Sequence, residues 1–108
     1  MAFDETLAER IRDHLASKPD IEEKKMFGGI AFMASGKMAV GVSGDSLMAR
    51  VGAEQYEQAL AEPGVGEFGK TGSPMTGWVL VDAMTIANDE TLRHWIDRCV
   101  GFARDLET

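Results

Sequence analysis

Apolar residues recur every four positions at the start of the chain and every second position after it. Leu7, Ile11 and Leu15 share one face, while Glu5, Glu9, Arg10 and Arg12 spread over the rest. This spacing predicts an amphipathic helix from about Asp4 to Ser17. Asp4 suits the amino end as a cap, Glu5 suits the positive end of the helix dipole, and Pro19 stops the helix. So narrow a stripe needs a surface to lie on.

From Ile21 to Val51 the period becomes two. Glu22–Met26 and Ile30–Ala34 read as strands separated by Phe27-Gly28-Gly29, and Ser35-Gly36 is a short turn. Met38, Val40 and Val42 alternate with Ala39 and Gly41. Beyond Gly44-Asp45, a two-residue hairpin candidate, Leu47, Ala49 and Val51 alternate with Met48 and Arg50. Connections this short force antiparallel neighbours, because a parallel return needs a crossover of about a dozen residues. Ala53–Ala61 is predicted as a short helix. Gly64–Gly77, with five of the twelve glycines, is predicted as a loop, and Trp78–Val81 as a fifth strand. The last helix starts near Asn88 and carries Leu92, Trp95, Ile96, Cys99, Ala103 and Leu106 along one face. The order α-β-β-β-β-α-β-α predicts a single α+β domain over residues 1–108. It is an antiparallel sheet of about five strands, with helices at both termini and one short helix before the last strand. The helices are expected to cover one face of the sheet only.

Composition narrows the function classes. In 108 residues, 44% hydrophobic and 27% charged is a globular balance, which sets aside disordered and collagen-like chains. No apolar run approaches the roughly 20 residues of a membrane span, and the amino end has no basic or apolar segment of a secretory signal. Cys99 is the only cysteine and has no internal disulfide partner. The expected location is the cytoplasm, with no membrane partner. A net charge of −7 and scattered basic residues argue against independent nucleic-acid binding, whose affinity comes from clustered Lys and Arg. The only adjacent basic pair, Lys24-Lys25, follows Glu22-Glu23.

One motif invites a nucleotide. Gly64–Thr71 satisfies G-x-x-x-x-G-K-[ST], and Trp78–Asp82 resembles an apolar strand ending in a metal-holding aspartate. A phosphate-binding loop, however, leaves a buried parallel strand and enters a helix whose first amides hold the phosphate. Here the segment follows Pro63 and runs into Gly72-Ser73-Pro74, so no helix can continue and the match is read as a decoy. Other catalytic residue types are thin. His14 and His94 read as surface or interface residues, and Cys99 as a small buried hydrophobe on the stripe of the last helix. No histidine or cysteine pair stands at metal-ligand spacing. No enzyme activity, cofactor or metal is expected.

The seven methionines have two readings, as adaptable core filling or as an adaptable contact surface for a protein partner. An ordered set of short motifs bears on the choice. Lys25-Met26-Phe27-Gly28-Gly29, Gly36-Lys37-Met38, Gly44-Asp45 with Leu47, and Gly72-Ser73-Pro74-Met75-Thr76-Gly77-Trp78-Val79 together resemble the N-terminal domain of the TfoX/Sxy family. The resemblance implies a small α+β fold and an association with bacterial competence regulation. Full-length regulators of that family carry a second, C-terminal domain and act with the transcription factor CRP, and the chain is expected to be a stand-alone N-terminal domain. The family supplies no catalytic residues to transfer.

The expected function is therefore a non-enzymatic protein-interaction module linked to transcriptional regulation. Its candidate surface is Met26, Phe27, Gly28, Gly29, Lys37, Met38, Met75 and Trp78. The alternative is a small-ligand-binding domain or unrecognised enzyme with a pocket near Phe27–Gly29 and Trp78. A two-fold homodimer is also expected, through the strand region near Met33, Met38 and Met48, with a monomer as its competitor.

Overall fold

The computed structural model describes residues 4–26, 29–70 and 73–105. Helix α1 (Glu5–Leu15) starts where Asp4 accepts hydrogen bonds from the Thr6 and Leu7 amides at 2.9 and 3.2 Å. Its predicted stripe is buried, joined by Ala8. Four strands follow: β1 (Ile21–Met26), β2 (Gly29–Ala34), β3 (Lys37–Ser43) and β4 (Ser46–Arg50). Between β2 and β3, Ser35 and Gly36 both take positive φ, 52° and 80°. That left-handed pair lets a two-residue turn follow the twist of its strands.

The chain continues through α2 (Tyr56–Leu60), β5 (Val65–Lys70), β6 (Ser73–Val81), α3 (Ala83–Ile86) and α4 (Asp89–Asp105). The sheet order is β1-β2-β3-β4-β6-β5, with every neighbouring pair antiparallel. The domain is thus α+β as predicted, with six strands.

The sixth strand comes from the segment expected to be a loop. Val65–Lys70 pairs with β6, which itself begins five residues before Trp78. Glycines hid the alternation, and Pro74 argued against a strand. Pro74 is tolerated because β6 pairs with β4 only over Trp78–Val81, so its first residues pair on one side alone. Val65–Lys70 of the Gly64–Thr71 motif therefore form an edge strand and not a phosphate-binding loop. The short helix is also trimmed to Tyr56–Leu60, with residues 53–55 in a turn.

All four helices contribute to one core against one sheet face. Ile30, Phe32, Ala34, Val40, Val42, Leu47, Ala49, Val79 and Val81 meet Ile11, Leu15, Tyr56, Ile86, Trp95, Ile96 and Cys99 there, all buried. α4 lies across β2, β3 and β4 and also receives α1 and α3, so its wide stripe makes it the central helix. No helix among the described residues is long and apolar enough to cross a membrane.

Charged pairs tie the layers together at the rim. Arg10 donates to Asp89 at 2.7 Å and to the Ile86 carbonyl at 2.8 Å, joining α1 to the end of α3 and the start of α4. Arg12 holds Glu23 of β1 with two bonds of 2.6 and 2.8 Å. Arg104 of α4 holds Asp20 in the same two-pronged way.

Candidate functional site

The face away from the helices carries the alternate residues of each strand. Cross-strand pairs set Met33 against Met38, Gly41 against Met48, Met48 against Leu80, and Arg50 against Trp78. All of these except the buried Gly41 are half-buried, and the core helices lie against the opposite face; Arg50 reaches the Phe102 ring of α4 at the sheet end. Met33, Met38 and Met48 stand outside the core cluster. They belong to the open face of the sheet and not to the core between sheet and helices.

A bulge puts Met38 there. Phe32 pairs with Val40, but Met33 pairs with Met38, so Ala39 is an extra residue in β3. Ala39 and Val40 both turn inward and are fully buried, and the strand phase reverses at Met38. The regular alternation read from sequence had placed Met38 on the face of Val40. Gly41 then leaves a dent in the open face, which methionines fill. A Cβ at Gly41 would lie 2.6 Å from the Met48 methyl carbon and 3.4 Å from that of Met38.

One end of this face is aromatic and cationic. The Arg50 guanidinium carbon lies 5.3 Å from the Trp78 ring centroid and 5.9 Å from that of Phe102, within cation–π range of both. Its Nη1 donates to the Met38 carbonyl at 3.4 Å, and Phe68 of β5 packs 6.5 Å from Trp78 at a 46° tilt. Arg50 thus joins β3, β4, β6 and α4 at one end of the sheet.

The predicted site residues divide between the two ends. Lys37, half-buried opposite Ala34, begins the strand that leads to Met38, and Met38 joins Trp78 through Arg50. Gly29 lies at the other end, paired with Met26. It is level with Asp82 across three strand spacings, which puts it roughly 20 Å from Trp78 at ~3.3 Å per residue and ~4.8 Å per strand. Phe27 and Gly28 lie outside the described residues, as do the side chains of Met26 and Met75. Sequence reasoning grouped Met33, Met38 and Met48 in one strand region but missed Leu80 and Arg50 as part of the same face, although the Leu47–Val51 alternation already set Met48 and Arg50 together. Phe68 and Phe102 gave no such signal.

Elsewhere the chemistry is sparse. Cys99 is fully buried, and burial pushes its thiol up to about 12. His14 sits between α1 and α4, with Nε2 2.9 Å from the Asp97 carboxylate. The Tyr56 hydroxyl is buried without a hydrogen-bond partner among the described residues, and burial raises its pKa. Asp82, the aspartate of the nucleotide-like pattern, caps α3 by accepting from the Thr85 amide at 2.8 Å. An open depression of about 390 Å³ beside Gly64 is lined by Glu67 and Asp82, a charge that repels phosphate. A second, of about 540 Å³, lies between Glu62, Glu90, His94 and Trp95 on the helical side. No group of three or more metal-ligating side chains gathers among the described residues.

The sequence profile of the TfoX N-terminal domain matches residues 13–103. The chain belongs to that family. In this TfoX N-terminal domain, Gly36, Gly44 and Gly77 of the resembling motifs have φ of 80°, 61° and 95°. Gly36 and Gly44 sit at strand connections, while Gly77 lies within β6 beside Trp78, which faces the open side. The recognisable part of the sequence therefore encodes the sheet and its bare face. No curated protein and no solved structure matches the chain.

Proposed function

We propose that this TfoX N-terminal domain is a non-enzymatic protein-interaction module of the bacterial cytoplasm that serves its family's regulatory role. The observation that carries this reading is the open sheet face, where Met33, Met38, Met48, Leu80, Trp78 and Phe68 are half-buried without a covering element among the described residues. A contiguous apolar face of this kind is the mark of a docking surface. Methionine supports the reading because its unbranched, polarizable chain repacks against different partners at little cost. Arg50 and Trp78 add the residue types that dominate binding energy at interfaces.

The test is affinity capture from native lysate with the unaltered chain and with Met48→Glu, both checked for equal melting temperature. A partner captured by the first and lost by the second supports the reading. Capture that is indifferent to the substitution, or a bound metabolite in place of a protein, overturns it.

A further inference from the structure

The two edges of the sheet differ. On β5, pairing with β6 is interrupted between Glu67 and Gly69, an irregularity that spoils an edge for addition of another strand. β1 runs in unbroken register with β2 from Ile21 to Met26, and its four central residues, Glu22, Glu23, Lys24 and Lys25, are all exposed. A run of one charge sign would protect this edge by repulsion. The run here is two acids followed by two bases, and reversing its direction turns acid positions into base positions.

The hydrogen-bond phase fixes which backbone groups are free. The Ser35 amide donates to the Asp20 carbonyl at 3.1 Å, so Asp20 and Ser35 form a hydrogen-bonded pair in the register of β1 and β2. Such pairs alternate along an antiparallel ladder. Glu22, Lys24 and Met26 therefore bond to β2, while Ile21, Glu23 and Lys25 turn their amides and carbonyls outward.

We propose that β1 is a homodimerisation edge, where a second copy of this chain adds its own β1 antiparallel about a two-fold axis at Glu23. In that register Glu23 opposes Glu23, and Ile21 opposes Lys25 on each side of the axis. These are the residues whose backbone groups point away from β2 and have no partner among the described residues. On the open face Glu22 stands opposite Lys24 of the other copy, and Lys24 opposite Glu22, giving two complementary pairs. Glu23 lies on the helix face, and the like charges there are each already neutralised by Arg12 at 2.6 and 2.8 Å. The neighbouring symmetric registers are worse. An axis at Glu22 or at Lys24 sets that residue against itself on the open face, where neither makes an ion pair among the described residues. A twelve-stranded sheet results, with the two bare methionine faces on the same side. The inference does not depend on the docking role of that face, because it uses the edge and leaves the face free.

Sedimentation of the full chain across a concentration series tests this. The unaltered chain is expected to show a reversible monomer–dimer equilibrium that weakens as salt screens the two ion pairs. Glu22→Lys alone and Lys24→Glu alone each replace both attractive pairs by repulsive ones and should weaken the dimer roughly tenfold. The double variant E22K/K24E restores opposite charges and should regain the original constant. Circular dichroism should report the same fold throughout, since both side chains are exposed. A monomer at every concentration overturns the proposal. So does a dimer insensitive to both single swaps and to salt, and one that only Met48→Glu dissociates would place the contact on the open face.

Discussion

Gly41 of β3 lies directly opposite Met48 of β4, and the Met48 methyl group occupies the space that a side chain at Gly41 would need. Glycine and methionine form one feature, a dent and its filling on the open face. A Cβ at Gly41 would also come within 2.7 Å of the Ile30 carbonyl oxygen, which belongs to the backbone of β2 and cannot swing aside. Gly41→Ala should therefore cost about 1–3 kcal/mol, as overpacking does, even though alanine suits a strand better than glycine. Gly101→Ala is the control. A Cβ there meets nothing within 4 Å, and the exposed helical site should gain about 0.5–1 kcal/mol. Urea unfolding of both variants checks the opposite signs.

Acid should unfold the protein partly through Asp20. Hydrogen bonds from Arg104 and then from Ser35 hold its carboxyl well below the ordinary range. A carboxyl held low binds fewer protons in the folded state than in the unfolded chain, where an aspartate titrates near pH ~3.9. Its contribution is complete above that pH and is lost as the pH falls below it. Asp20→Asn should lower stability at neutral pH and narrow the difference between neutral pH and a pH of about 3. The difference should not vanish, because Glu23 is held low by Arg12 and Asp82 by Thr85 in the same direction. Urea midpoints at the two pH values, for both proteins, give the comparison.

Cys99 should be inert in the native protein. Its side chain is fully buried between α4 and the sheet, and loss of hydration keeps the thiol protonated far into the alkaline range. Since the thiolate is the nucleophile, a disulfide reagent at mildly alkaline pH should label the folded chain only as fast as it opens. Labelling should become complete in denaturant. Fast native labelling, stoichiometric with protein, would show the packing of α4 to be looser than this.

How much of this was legible in the sequence depends on whether a feature is local. Leu7, Ile11 and Leu15 on α1, the caps Asp4 and Asn88, and the turn at Ser35-Gly36 follow from neighbours within a few residues, and the structure holds each as expected. The face of Met38 does not, because one bulged residue, Ala39, inverts the phase of the strand before it. β5 was hidden because Gly66 and Gly69 flank its pattern and only pairing with β6 makes it a strand. The candidate surface was half legible for the same reason. Met38 and Trp78 could be named from sequence, but their union through Arg50 requires β6 to insert between β4 and β5. That strand order also separates Gly29 from Trp78.

The same non-local pairing decides the nucleotide-like motif. Gly64 has φ of 76°, its carbonyl accepts from the Asp82 amide at 2.9 Å, and a Cβ on it would collide with the Thr85 side chain. The glycine is needed for the turn into β5 and for the approach of α3, while Lys70 ends an edge strand opposite Ser73. A phosphate-binding loop would make Gly64 and Lys70 act together on a ligand. The edge-strand geometry makes them act apart. Gly64→Ala should lose about 2 kcal/mol or more, from the left-handed backbone and the collision together, whether or not nucleotide is present. Lys70→Ala should leave the response to ATP and magnesium unchanged, with no melting shift in either protein. Thermal melts of the unaltered chain and both variants, with and without nucleotide, check this. A nucleotide-dependent rise in melting temperature that Lys70→Ala abolishes would return the motif to phosphate binding.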